Sequence, residues 1–165
     1  MTNEPKRDVG YRGAMSFEQM YSLLLTSIAV GSVLAGIAVG AIGERIAKGP
    51  MVIAGFIGMG LSLVLAGLVR DPILAMLAFF FTGAFNMIFI IPTVTLFQER
   101  TPQRLMGRVV SSRQALVFGS IAASMGLSGY LAGIIGAAEV LVISGAICAG
   151  AGLVGILVPA MRNAR

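Results

Sequence analysis

Five stretches of this chain contain no Asp, Glu, Lys or Arg: 19–43, 49–69, 72–98, 114–138 and 140–161, which are 25, 21, 27, 25 and 22 residues long. About 20 apolar residues, each rising about 1.5 Å along a helix, cross a hydrocarbon core about 30 Å thick. Every stretch is therefore long enough to span a bilayer. The core offers no water to the peptide groups, so a spanning segment is either a helix or a strand of a closed barrel. Barrel strands run to about ten residues of alternating polarity, and nothing in these stretches alternates. With 57% hydrophobic and only 12% charged residues, against roughly 25% charged in a soluble domain, the chain has no polar coat for a water-soluble globule. The pattern predicts an all-α membrane protein, an antiparallel bundle of five transmembrane helices. The bundle occupies 21–161, with spans at about 21–43, 51–69, 73–97, 110–135 and 139–160. An exposed polar tail, 1–20, precedes it and a short tail, 162–165, follows.

The basic residues orient the bundle. Arg45 and Lys48 follow the first span, Arg100, Arg104, Arg108 and Arg113 follow the third, and Arg162 and Arg165 follow the fifth. These segments alternate along the chain and so share one side, which holds 8 of the 12 Lys and Arg residues. The positive-inside rule makes that side cytoplasmic, with the C-terminus inside and the N-terminus outside. Topology thus accounts for most of the net charge of +5, and nucleic acid is not an expected partner. The first span reads as an anchor that stays, because its apolar run is too long for a secretory signal and has no clear cleavage site. Ser16 and Gln19 have capping-box spacing at its entry. Between the second and third spans, Pro72 after Asp71 suits a first helical turn.

Several chemistries are excluded. With no histidine and one cysteine, the chain has no histidine-based triad, no histidine metal site and no disulfide framework. No catalytic residue, metal site or cofactor is expected, and an enzyme is not. Within the spans no Asp, Glu, Lys, Arg or His stands at mid-depth, where a proton-driven pump needs a titratable group. The chain alone is therefore not expected to transport actively.

Two further patterns concern the interior. Small residues recur every four positions at Ser32, Gly36 and Gly40, at Gly129 and Gly133, and at Ala151 and Gly155, a spacing that lets helix backbones approach closely in lipid. Polar side chains divide the spans. The second and fifth carry only Ser62 and Ser144, whereas the others carry Thr26, Ser27 and Ser32, then Thr82, Asn86, Thr93 and Thr95, then Gln114, Ser120, Ser124 and Ser128. Polar groups at membrane depth face protein or a water-filled cavity, so the first, third and fourth spans are expected to line an interior and the second and fifth to face lipid. Thr82, Asn86, Thr93, Gln114, Ser120, Ser124 and Ser128 are the cavity-lining candidates. Pro92 removes one backbone hydrogen bond from the third span and predicts a kink there, and Cys148 reads as a small packing residue.

Two loops carry a resemblance. The segment GAIGERIAKG at 40–49 resembles the loop signature of the major facilitator superfamily: glycine, three residues, an acid, a base, one residue, glycine and two bases. Gly40, Glu44, Arg45 and Lys48 match it, while Ala47 and Gly49 depart from it. The segment TPQRLMGRV at 101–109, with Thr101, Pro102, Gly107 and Arg108, looks like the loop before the eleventh helix of drug-efflux members. The glycine-spaced helix of those members has its counterpart in Gly119, Gly126, Gly129 and Gly133. The resemblance covers about 16–160 as helices eight to twelve of twelve, and so implies half of a major facilitator fold.

The resemblance implies an efflux-type secondary transporter in a bacterial inner membrane, moving a hydrophobic or drug-like small molecule by alternating access. It assigns Gly40, Glu44, Arg45 and Lys48 to a conformational latch whose counterpart lies in a missing N-terminal half. Glu44 beside a helix N-terminus, with Arg45 and Lys48 near, makes physical sense as such a latch. Arg108 and Arg113 have two candidate partners, Glu99 or the phosphate of membrane lipid. An alternative function is a small integral-membrane partner or scaffold subunit, joined to another helical chain and without transport of its own. A passive pore is disfavoured, since no ring of charges or carbonyl filter appears.

Overall fold

The structure, a computed structural model, describes residues 17–42 and 47–157. Among them are five long helices and no strand: α1 (Phe17–Ile42), α2 (Lys48–Leu68), α3 (Pro72–Arg100), α4 (Met106–Ile135) and α5 (Ala137–Leu157). All five are long and apolar enough to cross a membrane. The expected all-α membrane bundle is what the chain forms. A 3₁₀ turn at Gln103–Leu105, not foreseen in the sequence, leads into α4. The polar tail to residue 16, Ser16 of the proposed capping box, Glu44, Arg45 and the tail 162–165 lie outside the described residues.

The connections follow from local chemistry. Asp71 caps α3, one carboxylate oxygen accepting from the Ile73 N–H at 2.8 Å and the Leu74 N–H at 3.3 Å, with Pro72 in the first turn where its missing N–H costs nothing. Asp71→Ala is expected to destabilise the chain by about 1 kcal/mol, read as a lower midpoint of thermal unfolding in detergent. Gly136 alone separates α4 from α5, at φ 99° and ψ 152°, a conformation that only glycine adopts readily. Pro92 lies buried inside α3, which continues through it to Arg100.

The helices pack as a row in the order α1, α3, α2, α5, and α4 touches the end of that row lightly. Glycines set the contacts. A Cβ on Gly31 of α1 would collide with the Phe80 carbonyl of α3, and one on Gly83 with the Ile28 carbonyl of α1, so backbones there are nearly touching. The Ser32 hydroxyl reaches across the same seam to the Gly83 carbonyl at 3.2 Å. α2 has two glycine faces. Gly55 and Gly58 take Phe89 and Phe85 of α3, where Phe56 and Phe89 also meet edge to face with centroids 4.6 Å apart. On the other face Gly60 lies against Gly145 and Ala149 of α5, and Gly67 against Ala138 and Val142. In lipid, where apolar burial gives no drive between helices, such close backbone approach supplies the packing energy.

Two expectations are corrected here. Gly36, Gly40, Gly129 and Gly133 are not contact points among the described residues, where nothing lies within 4 Å of a Cβ at any of them. The working face of α1 runs through Gly31, Ala35 and Val39, rotated by one residue from the predicted stripe, although Ser32 does bond across the seam. On α5, Gly155 is buried but Ala151 is exposed. The division by polar content also fails to match burial within this chain. Apolar α2, expected to face lipid, sits between α3 and α5 and is the most buried span, while α4 has no buried residue at all. Small size decides which helix is enclosed here; polarity does not.

Candidate functional site

One end of the row carries Lys48, Glu99, Arg104, Arg108 and Arg113; Glu18, Asp71 and Glu139 lie at the other end. At the basic end the first turn of α2 meets the last turn of α3. Lys48 Nζ donates to both carboxylate oxygens of Glu99, at 2.5 and 2.6 Å. Lys48 keeps 22% of its side chain exposed and Glu99 51%, so the pair sits at a rim where water still screens it. Beneath it is a cavity of about 390 Å³ lined by Val39 and Gly40 of α1, Met51 of α2, and Ile91, Pro92 and Thr95 of α3. The open space at Gly40 is this cavity. Two of the four predicted latch residues, Gly40 and Lys48, thus border one space.

The pair answers a question left by the sequence. Glu99 was a candidate partner for Arg108 and Arg113, but it belongs to Lys48, 51 residues away. Arg113 instead lies over the ring of Phe97, its guanidinium carbon 5.5 Å from the centroid. No pattern of spacing marks a contact between the start of one helix and the end of the next. The only available signal was that Glu99 is the single acid between 72 and 138.

The cavity-lining candidates fall into three groups. Thr82, Thr93 and Thr95 each donate to their own helix four residues back, to the carbonyls of Ala78, Phe89 and Ile91, which satisfies the hydroxyls without any ligand. Asn86 is at the α2–α3 seam, its Nδ2 donating to the Met59 sulfur at 3.6 Å. Gln114, Ser120 and Ser124 stand exposed on α4, and Ser128 is half-buried. The candidates therefore do not converge within this chain.

The second motif forms the turn that aims α4. The Thr101 hydroxyl donates to the Phe97 carbonyl at 2.7 Å, and the Pro102 carbonyl accepts from the Leu105 N–H at 2.9 Å. Pro102, Gly107 and Arg108 border, with Arg104 and Leu105, an open hollow of about 700 Å³. Beside it, a groove of about 490 Å³ runs between the end of α3 and the start of α4. Cys148 points its sulfur at the Phe56 carbonyl, 3.6 Å away, as a packing residue between α5 and α2. Among the described residues no group of three His, Cys, Asp or Glu side chains could hold a metal ion.

A family model described as Major Facilitator Superfamily matches residues 14–164. No curated protein and no solved structure matches the chain. The family match covers all five membrane-spanning helices and both loop motifs, 40–49 and 101–109. The chain belongs to the major facilitator superfamily of secondary transporters.

Proposed function

We propose that the chain is the C-terminal portion of an efflux-type transporter that works by alternating access, with its basic end in the cytoplasm. The observation that carries this reading is α4. It is the span richest in unsatisfied polar groups, and yet it is the one with nothing buried. Ser120 and Ser124 have no hydrogen-bonding partner among the described residues, and hydrocarbon offers them none. A helix of this kind is at home beside a water-filled path or a second set of helices. The row of helices is open where α1 and α4 would meet, and both carry bare glycines, Gly36 on one and Gly119, Gly126, Gly129 and Gly133 on the other. Further helices there would close the bundle and shape a substrate path against α4.

On this reading the Lys48–Glu99 pair holds the cytoplasmic end of α2 to that of α3. The substrate is a small apolar or drug-like molecule, because the spans offer hydroxyls and amides but no charge at depth. Proton coupling then needs a carboxylate outside this chain. Reconstituted alone into liposomes under a pH gradient, the chain is expected to accumulate no lipophilic cation dye above the level of empty vesicles. A dye gradient that collapses with a protonophore would sink the proposal. The bare Gly36 face favours a second reading, a partner subunit. Disulfide-linked dimers of Gly36→Cys in native membranes, at the same yield with or without other transporter helices, would favour it.

A further inference from the structure

The groove between α3 and α4 has the make-up of an amphiphile's seat. Its upper part is charged, with Arg108 exposed and Arg113 half-buried. Phe97, Val109 and Ser112 line it beside the arginines, and Leu116 and Val117, one helical turn beyond Arg113, form its apolar lower part. Arg113 is the last charge before the uncharged run 114–138, so the boundary between charge and hydrocarbon falls inside the groove. Its guanidinium is held over the Phe97 ring.

Neither arginine has a carboxylate partner among the described residues. Among the described residues at this end the one acid is Glu99, and both its oxygens are taken by Lys48. Glu18, Asp71 and Glu139 are a membrane's width away. Two guanidiniums at an interface beside an apolar trough, one of them held over Phe97, with no described carboxylate to pair them, match one occupant in charge and in shape. We infer that the groove seats an anionic phospholipid, its phosphate between Arg108 and Arg113 and one acyl chain along Leu116 and Val117. Arginine forks suit phosphate oxygens, and the acyl chain would cover part of α4 that no described helix covers. The inference rests on the membrane reading above and on no particular substrate.

The test uses the full chain in phosphatidylcholine vesicles holding a minor share of spin-labelled phosphatidylglycerol or, in parallel, spin-labelled phosphatidylcholine. The motionally restricted fraction of each label measures its association with the protein. A preference of about fivefold or more for phosphatidylglycerol is expected, the size that one basic residue near an anionic surface contributes. Arg108→Gln with Arg113→Gln should abolish it, and Arg108→Lys with Arg113→Lys should keep most of it. Arg70→Gln, at the other end, should leave it unchanged. Val117→Trp fills the trough while keeping both charges, and it too should remove the preference. Circular dichroism confirms that each variant stays helical. Preference retained in Val117→Trp, or lost to millimolar inorganic phosphate in the unaltered chain, would overturn the lipid seat and leave a simple phosphate site or a diffuse charge effect. If neither label is restricted, the membrane reading itself falls.

Discussion

Gly60→Ala is expected to destabilise the chain by about 3 kcal/mol, the upper end of the usual overpacking cost, and Gly60→Val to part α2 from α5. The reason is what the added carbon meets. It would approach the backbone nitrogen of Ala149, lie 2.6 Å from the Gly145 carbonyl oxygen and 2.8 Å from Ala149 Cα. None of these belongs to a flexible side chain that could swing aside, so a whole helix must move. Gly145 is the reciprocal site, where a Cβ would lie 2.7 Å from both the Gly60 carbonyl oxygen and the Val64 nitrogen. Gly36→Ala and Gly129→Ala serve as controls, because each points into open space. They are expected to stay within about 0.5 kcal/mol of the parent or to gain slightly from alanine's better helix propensity. Thermal unfolding of the purified chain in one detergent measures all four. Equal loss at Gly60 and Gly36 would mean that α2 and α5 do not meet along this seam.

Reversing one charge of the rim pair is expected to open the cavity below it. Lys48→Glu places two carboxylates where an ammonium now bridges the last turn of α3 to the first turn of α2. An exposed pair of this kind contributes up to about 1 kcal/mol. Replacing attraction by repulsion costs about twice that, enough to change an open-to-closed ratio more than tenfold. Thr95 lines the cavity, so the reaction of Thr95→Cys with a membrane-impermeant maleimide reports the opening. Labelling should speed up about tenfold in the Lys48→Glu background and return to the parent rate when Glu99→Lys is added. Failure of the double reversal to restore the slow rate would show that the two side chains do not act on each other.

The spans were legible because absence of charge over twenty or more residues is a property of the sequence alone. The same holds for the α3 cap, where Asp71 and Pro72 announce a helix start by their own chemistry. Which glycine is used was not legible. Spacing by four marks a stripe of small residues but not the angle at which another helix arrives, and a rotation of one residue separates bare Gly36 from crowded Gly31. The Lys48–Glu99 pair was hidden for a related reason, since it joins positions 51 apart that only the antiparallel packing of α2 on α3 brings together. Polar content placed Thr82 and Asn86 on a presumed cavity wall, but a threonine can satisfy its hydroxyl on its own helix and Asn86 found a thioether on α2.

The order of the row, α1, α3, α2, α5, separates sequence neighbours: α1 and α2 are both held by α3 and hardly by each other. During synthesis α1 and α2 therefore find little grip on each other. The Gly31 and Gly55 faces gain their α3 partner only once Gly83 and Phe89 have left the ribosome. A nascent chain halted near residue 71 leaves α1 and α2 without the helix that joins them, and one halted after residue 100 has it. The joining of α1 to α2 is thus gated by the arrival of α3, and a truncation before residue 72 should lower the yield of this packed row more than one placed after residue 100.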